Sequence, residues 1–193
     1  MHIFTNAKIQ DSRPALPRAR FFRLVGRAID LLRHARCNPA DQEWVWSILM
    51  PAEFDLWTKL PAHDQYHTVR VAQKVQQRLA QTQQANDDRW LGAALMHDIG
   101  KLESNLSGPE RVIANLVGKS ISLSKARRWA TAGSGLSRRI GLYLIHGSVG
   151  AEMLRATGAR NELAAWAEVH QEYQFPAGLK IPRVVIRALS DSD

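Results

Sequence analysis

The stretch WLGAALMHDIGK, residues 90–101, decides the fold of this chain. Capping residues precede it at 86–88 (Asn-Asp-Asp) and predict the start of a helix, and a loop with glycine and proline follows it. On both sides of this stretch, from about Arg18 onward, apolar residues recur at helical spacing, and no run alternates as a β-strand does. The sequence therefore predicts an all-α fold.

The same spacing places further helices along the chain. On the N-terminal side, it predicts a helix with an apolar stripe from Phe21 to Leu32, two short helices before residue 60, and a long helix from about Ala62 to Gln84. On the C-terminal side, it predicts helices near Glu110–Val117, Leu136–His146, Ser148–Thr157, Asn161–Glu172 and Pro182–Leu189. We expect a flexible basic arm over 1–20, an N-terminal helical extension over 21–61, and one helical domain over 62–193.

Composition excludes several classes of protein. The chain has 193 residues, 45% of them hydrophobic and 23% charged, which suits a domain with one core and is too apolar for a disordered chain. A single cysteine, Cys37, excludes a disulfide framework and a thiolate zinc cluster. No apolar run approaches the roughly 20 residues of a membrane span, and the start lacks the apolar core of a secretory signal. We therefore expect a cytoplasmic protein without membrane attachment.

The net charge of +8 is unevenly distributed. Residues 1–36 carry +6 and residues 119–139 carry six basic and no acidic residues, whereas 37–118 and 140–193 are slightly acidic. This distribution favours an anionic partner. It suits the attraction of a small phosphorylated substrate at least as well as the binding of a nucleic acid, which stays open as a less favoured partner.

Four histidines stand in contexts that indicate a metal site. They lie in YHTVRVA, LMHDIGK, LIHGSVGAEML and EVHQEY, each on or beside a different predicted helix, so that a bundle can bring them to one point: His67, His97, His146 and His170. Asp98 follows the second of them directly. Asp191, in ALSDSD, completes the set, with Asp193 as a nearby rival. Imidazole nitrogens and carboxylate oxygens bind Mn, Fe, Ni, Co or Zn, and Mg is also possible.

The adjacent pair His97 and Asp98 requires a special geometry, because neighbours on a regular helix point about 100° apart. At the end of a helix, where Gly100 lets the backbone turn, both side chains can face one ion. A carboxylate in that position can also bridge two ions about 3.5–4 Å apart, the arrangement that serves phosphoryl transfer. Lys101 follows closely enough to reach a substrate phosphate.

These residues resemble the HD-domain metal-dependent phosphohydrolases, which have an H…HD…D pattern on an all-helical fold. His67, His97, Asp98 and Asp191 match that pattern in order. The segments HDIGK, HGSVGAEML and HQEYQFPAGLKIPRVVIRALSDSD further resemble the HD-GYP branch, over about residues 62–193. The chain departs from that branch at His170-Gln171, where the branch has two histidines, and at Phe175-Pro176-Ala177-Gly178, which replaces the Gly-Tyr-Pro loop.

The resemblance implies a phosphohydrolase that uses metal-activated water on a nucleotide or other phosphoester. It implies one ion on the H…HD…D residues, and a second that His146 and His170 help to hold. Asp98 and Lys101 would act in catalysis, and Lys101, Arg138 and Arg139 would contact the substrate. Two alternatives stay open: a non-catalytic regulatory or nucleic-acid-binding module with the same helical fold, and a di-iron oxygenase.

Overall fold

A computed structural model describes residues 36–85, 87–172, 175–176 and 178–193. These residues form helices and no strand, which confirms the predicted all-α class. The predicted basic arm at 1–20 and the predicted helix from Phe21 to Leu32 lie outside the described residues. None of the helices within the described ranges has the length and apolar content that would let it cross a bilayer.

The described helices follow one another through short connections. In chain order they are α1 Pro39–Ile48, α2 Pro51–Trp57, α3 Ala62–Leu79, α4 Asp88–Met96, α5 Lys101–Ser104, α6 Gly108–Gly118, α7 Leu123–Ala132, α8 Gly135–Leu144, α9 His146–Ala156, α10 Asn161–Val169 and α11 Arg183–Ser190.

Two helices end earlier than their sequence pattern predicts, and one predicted helix is divided. Helix α3 stops at Leu79 instead of Gln84, because the Thr82 hydroxyl donates to the Leu79 carbonyl and replaces helical bonding there. Helix α10 ends at Val169, before Glu172. The predicted helix over residues 136–146 breaks at Ile145, whose φ of −112° and ψ of 23° leave the helical region. The end of α10 and the break at Ile145 stand directly before His170 and His146, which are described below.

Helix α4 lies at the centre of the main core. Every residue from Trp90 to Gly100 is buried, and α3, α10, α1, α2 and α11 all pack against this helix. The indole nitrogen of Trp57 on α2 donates to the Thr68 hydroxyl on α3 at 3.1 Å, which satisfies both polar groups within the core. The histidine and aspartate that follow α4 therefore stand on the most tightly enclosed element of the domain.

A buried ion pair joins α2 to the start of α10. The Glu53 side chain is fully buried and accepts hydrogen bonds from Arg160 Nε at 3.0 Å, Arg160 Nη2 at 2.6 Å and the Met50 backbone nitrogen at 2.9 Å. Removing one partner of such a pair typically costs about 3–5 kcal/mol. This pair thus ties α2 to the start of α10.

Candidate metal centre

The structure brings five of the six predicted metal-binding residues to one point. His67 comes from α3, His97 and Asp98 directly follow α4, His146 is the first residue of α9, and His170 directly follows α10. With Asp193 they form two triads of potential ligand atoms. We call His67, His97 and Asp193 the outer triad, and Asp98, His146 and His170 the inner triad.

Three of the histidines are oriented by the ends of helices. His97 Nδ1 donates to the Ala94 carbonyl at 2.7 Å, His146 Nδ1 to Tyr143 at 2.7 Å and His170 Nδ1 to Ala167 at 2.8 Å. Each carbonyl belongs to the last turn of its helix, where carbonyls can accept from side chains. A carbonyl only accepts, so each Nδ1 carries a proton, and each Nε2 presents a lone pair when its ring is neutral. This is the second-shell arrangement that prepares an imidazole to bind a metal.

The Asp98 carboxylate lies between two pairs of histidines. Its Oδ2 is 3.5 Å from His97 Nε2 and 3.6 Å from His67 Nε2, and its Oδ1 is 3.1 Å from His146 Nε2 and 3.9 Å from His170 Nε2. One oxygen therefore faces each triad. A carboxylate with this orientation is suited to bridge two cations.

Two features of the donor atoms fit a cation better than direct hydrogen bonding. Among the described residues, the buried His97 Nε2 has no hydrogen-bond partner, and such an atom is costly to leave unsatisfied. His146 Nε2 and His170 Nε2 face each other at 3.2 Å, although both present lone pairs when neutral. An ion between these atoms removes both conflicts. The residues present therefore fit a divalent metal.

The electrostatics of the cluster favour the binding of a cation. Burial opposes ionisation of Asp98, but the charges of His97 and Lys101 outweigh it and hold the Asp98 pKa well below its usual range. A hydrogen bond from His67 lowers the pKa of Asp193. Burial, with the charges of His97 and His146, lowers the pKa of His170 to about 3, so that its lone pair stays free at neutral pH. The cluster thus combines two ionised carboxylates with the neutral imidazole of His170.

Gly100 serves close packing instead of the turn expected from the sequence. Its φ of −66° and ψ of −14° are open to any residue. A Cβ at this position would lie 2.0 Å from the His146 carbonyl oxygen and 2.5 Å from the Gly150 nitrogen. The missing side chain therefore lets α9 approach the residues after α4, and this approach brings His146 to Asp98.

Asp191 requires a correction, because the structure places it outside the cluster. Its carboxylate is exposed and lies 3.7 Å from Arg78 and 3.7 Å from Arg187. Asp193 instead has Oδ1 at 3.2 Å from His67 Nε2 and 3.4 Å from His97 Nε2. The helical turn at the end of α11 carries the first aspartate away from the histidines and the second one towards them.

The three residues predicted to contact the substrate lie in different places in the structure. Lys101 Nζ lies 2.5 Å from Asp98 Oδ2, inside the cluster. The Arg139 guanidinium pairs with Glu110 at 2.9 Å and donates to the Ser104 and Asn105 carbonyls, so it fastens the α5–α6 loop to α8. Arg138 is exposed and lines none of the cavities at the cluster.

Two adjoining cavities open onto the cluster. One, of about 510 Å³, is lined by every triad residue except His97, together with Lys101, Gln171, Leu144, Asn115 and Tyr143. The other, of about 360 Å³, shares His67, Lys101, Asn115 and Tyr143 with it and continues to Arg111. A ligand group on the cluster can therefore extend into a second space.

Sequence reasoning missed several residues of these cavities. Arg111 Nη1 donates to both oxygens of the buried Asp64 carboxylate and to His63 Nε2, each at 2.8 Å. Tyr143 precedes His146 by three residues, a spacing that places two side chains on one side of the chain and could have indicated it. Arg111 and Asn115 have the same kind of spacing on α6, but no local motif distinguished them from surface residues.

Comparisons with known proteins identify one family. The protein-family model for the HD domain matches residues 65–192, about two thirds of the chain. No curated protein and no solved structure matches. The matched range contains His67, His97, Asp98, His146 and His170, and it ends one residue before Asp193.

Proposed function

The chain belongs to the HD-domain superfamily, and from that premise we propose that it is a metal-dependent phosphohydrolase acting on a small phosphoester. The outer triad, His67, His97 and Asp193, would hold one divalent ion. The inner triad, Asp98, His146 and His170, would hold a second. A nucleotide is one substrate of the right chemistry, and the cytoplasm is the compartment that the sequence favours.

The observation that carries this proposal is the position of Asp98. One of its oxygens faces His67 and His97, and the other faces His146 and His170. A histidine whose only role was to donate to a helix-end carbonyl would need no carboxylate opposite its Nε2. Two pairs of histidines that share one carboxylate are better explained by two adjacent cations.

Divalent ions bound here would supply a water of lowered pKa as the nucleophile and neutralise charge on the phosphate. The two carboxylates would leave part of the ions' charge uncompensated, so the site would attract an anionic group. Lys101 Nζ donates to Asp98, and its remaining N–H groups can stabilise charge that develops on phosphate oxygens. The organic part of the substrate would occupy the cavity that continues to Arg111.

The test is a metal and activity assay on the full chain. Protein purified without chelator or affinity metal is analysed for bound ions and assayed with p-nitrophenyl phosphate and bis(p-nitrophenyl) phosphate in the presence of Mn²⁺ or Ni²⁺. We expect bound metal and metal-dependent hydrolysis, both lost in Asp98→Asn. Absence of bound metal in the wild type, or full activity in the variant, would refute the proposal.

A second candidate rests on the basic surface. Of the six basic residues between 119 and 139, all but Arg139 are exposed: Lys119, Lys125, Arg127, Arg128 and Arg138. A nucleic-acid-binding module would use such cations on phosphates. It predicts salt-sensitive binding of nucleic acid that survives removal of metal, whereas the phosphohydrolase predicts no such binding.

A further inference from the structure

The outer triad depends on a short segment that follows α11. Helix α11 ends at Ser190, and Asp193 lies three residues beyond it with a side chain that is 38% exposed. Ser192 anchors part of this segment, since it is fully buried and its hydroxyl donates to the Ala188 carbonyl at 2.6 Å. Packing in the core thus holds Ser192 but leaves the direction of Asp193 to other contacts.

Two cations on α3 supply those contacts. Lys74 Nζ donates to the Ser192 carbonyl at 3.0 Å, and Arg78 Nη2 donates to the Asp191 carbonyl at 3.2 Å. Carbonyls that follow the end of a helix have no intrahelical donor, and side-chain cations can complete them. Lys74 and Arg78 stand seven and eleven residues after His67, so all three lie on one face of α3.

This arrangement links a metal-binding residue to its partner through one helix. Helix α3 presents His67 Nε2 to Asp193 Oδ1 at 3.2 Å, and the same face holds the backbone on which Asp193 stands. The Lys74 bond is made to the carbonyl directly before Asp193, so its loss frees the peptide that sets the direction of this carboxylate.

We propose that Lys74, supported by Arg78, is a positioning residue that directs Asp193 towards His67 and His97 and so sets the affinity of the outer triad for its ion. This inference rests on the proposed function for the identity of the bound group. Lys74 belongs to neither triad and lines neither cavity at the cluster. Lys74 acts only through its hydrogen bond to the Ser192 carbonyl, which positions the neighbouring Asp193.

The experiment compares metal binding in the full chain and in Lys74→Met. Metal-free protein is titrated with Mn²⁺ at equilibrium, and the number of bound ions and each dissociation constant are measured. We expect the variant to bind one ion as the wild type does and the other about 10- to 100-fold more weakly, the usual effect of losing a second-shell partner. Lys74→Arg keeps a cationic donor and should restore the affinity.

Controls separate positioning from general stability. Lys59→Met removes an exposed lysine outside α3 and should leave both dissociation constants unchanged. The thermal unfolding midpoint of metal-free Lys74→Met should stay close to that of the wild type. If Lys74 had a purely structural role, its loss would lower this midpoint and leave both metal affinities at their wild-type values. If Lys74→Met binds both ions like the wild type, the positioning role is wrong while the proposed function stands. If the wild type binds no ion, the proposed function fails first.

Discussion

The two triads differ in how the fold holds them. In the inner triad the side chains of Asp98, His146 and His170 are 3%, 7% and 4% exposed, and two of them are fixed by helix-end carbonyls. In the outer triad His97 is equally enclosed, but His67 and Asp193 are 39% and 38% exposed. The inner position is therefore built by core packing, whereas the outer one is completed by side chains at the surface. Two ions bound at these positions would therefore be held with unequal strength.

The largest effect is expected from Asp98→Asn, because this carboxylate faces both triads. The amide keeps the shape of the side chain but removes the charge that both positions share, so we expect both ions to be lost. Loss of metal-ion catalysis typically amounts to several kcal/mol, or on the order of 10³-fold in rate. Metal content and phosphoester hydrolysis measure the two consequences. A variant that lost only one ion would show that Asp98 serves one triad alone.

A chelator should remove the ions of the two triads at different rates. The outer position is open to solvent through His67 and Asp193, so its ion should leave first, and the ion of the enclosed inner triad should follow more slowly. We expect two phases of metal loss when EDTA is added to the protein and released ions are followed with a colorimetric indicator. His67→Ala should abolish the fast phase, and His170→Ala the slow phase. A single phase that both variants alter equally would contradict this comparison.

A smaller effect distinguishes Asp193 from Asp191. Asp193→Asn should weaken the outer ion, since its Oδ1 faces both His67 and His97. Asp191→Asn should leave both metal affinities near wild type, because that carboxylate only lies near Arg78 and Arg187 at the surface, where ion pairs contribute about 0–1 kcal/mol. Titration of both variants with Mn²⁺ provides the measurement. The reverse result would return Asp191 to the ligand set.

The fold and most of the site could be predicted from local patterns. Helical spacing indicated the all-α class, and each of His67, His97, His146 and His170 stands in a short motif whose residues are neighbours in sequence. Asp191 was chosen over Asp193 because the pattern fixes neither where α11 ends nor what holds the following residues. In the structure these residues are held by Lys74, more than a hundred residues earlier in the chain, which donates to the Ser192 carbonyl.

The substrate contacts were harder to predict for a related reason. Charge counts do not distinguish a free cation from a paired one, and Arg139 is paired with Glu110 from another helix. Arg111 was missed for the opposite reason, since it carries no motif and its position at the cavity depends on an ion pair with Asp64 on α3. Both outcomes arise from contacts between elements that are distant in sequence, which periodicity and spacing do not reveal.

The smallest effect on the metal centre is expected from Glu53→Gln, although it should destabilise the protein most. Glu53 is buried against Arg160, neither residue belongs to a triad or lines a cavity at the cluster, and loss of the Glu53 charge should lower the free energy of unfolding by about 3 kcal/mol. Burial opposes ionisation of Glu53, but hydrogen bonds from Arg160 outweigh it and lower its pKa. The contribution of this pair is therefore fully present above the pKa of an unfolded glutamate, about 4.3, and is lost as the pH falls further.

Denaturant unfolding at several pH values tests this expectation. The difference in unfolding free energy between wild type and Glu53→Gln should be largest near neutral pH and should shrink below about pH 4. Glu168→Gln, which removes a pair with Arg155 at the surface, is the matched control and should cost less than about 1 kcal/mol. Both variants should bind two ions at temperatures where they are folded. If Glu53→Gln lost the outer ion while it remained folded, the expectation that the packing of α2 does not affect metal binding would be wrong.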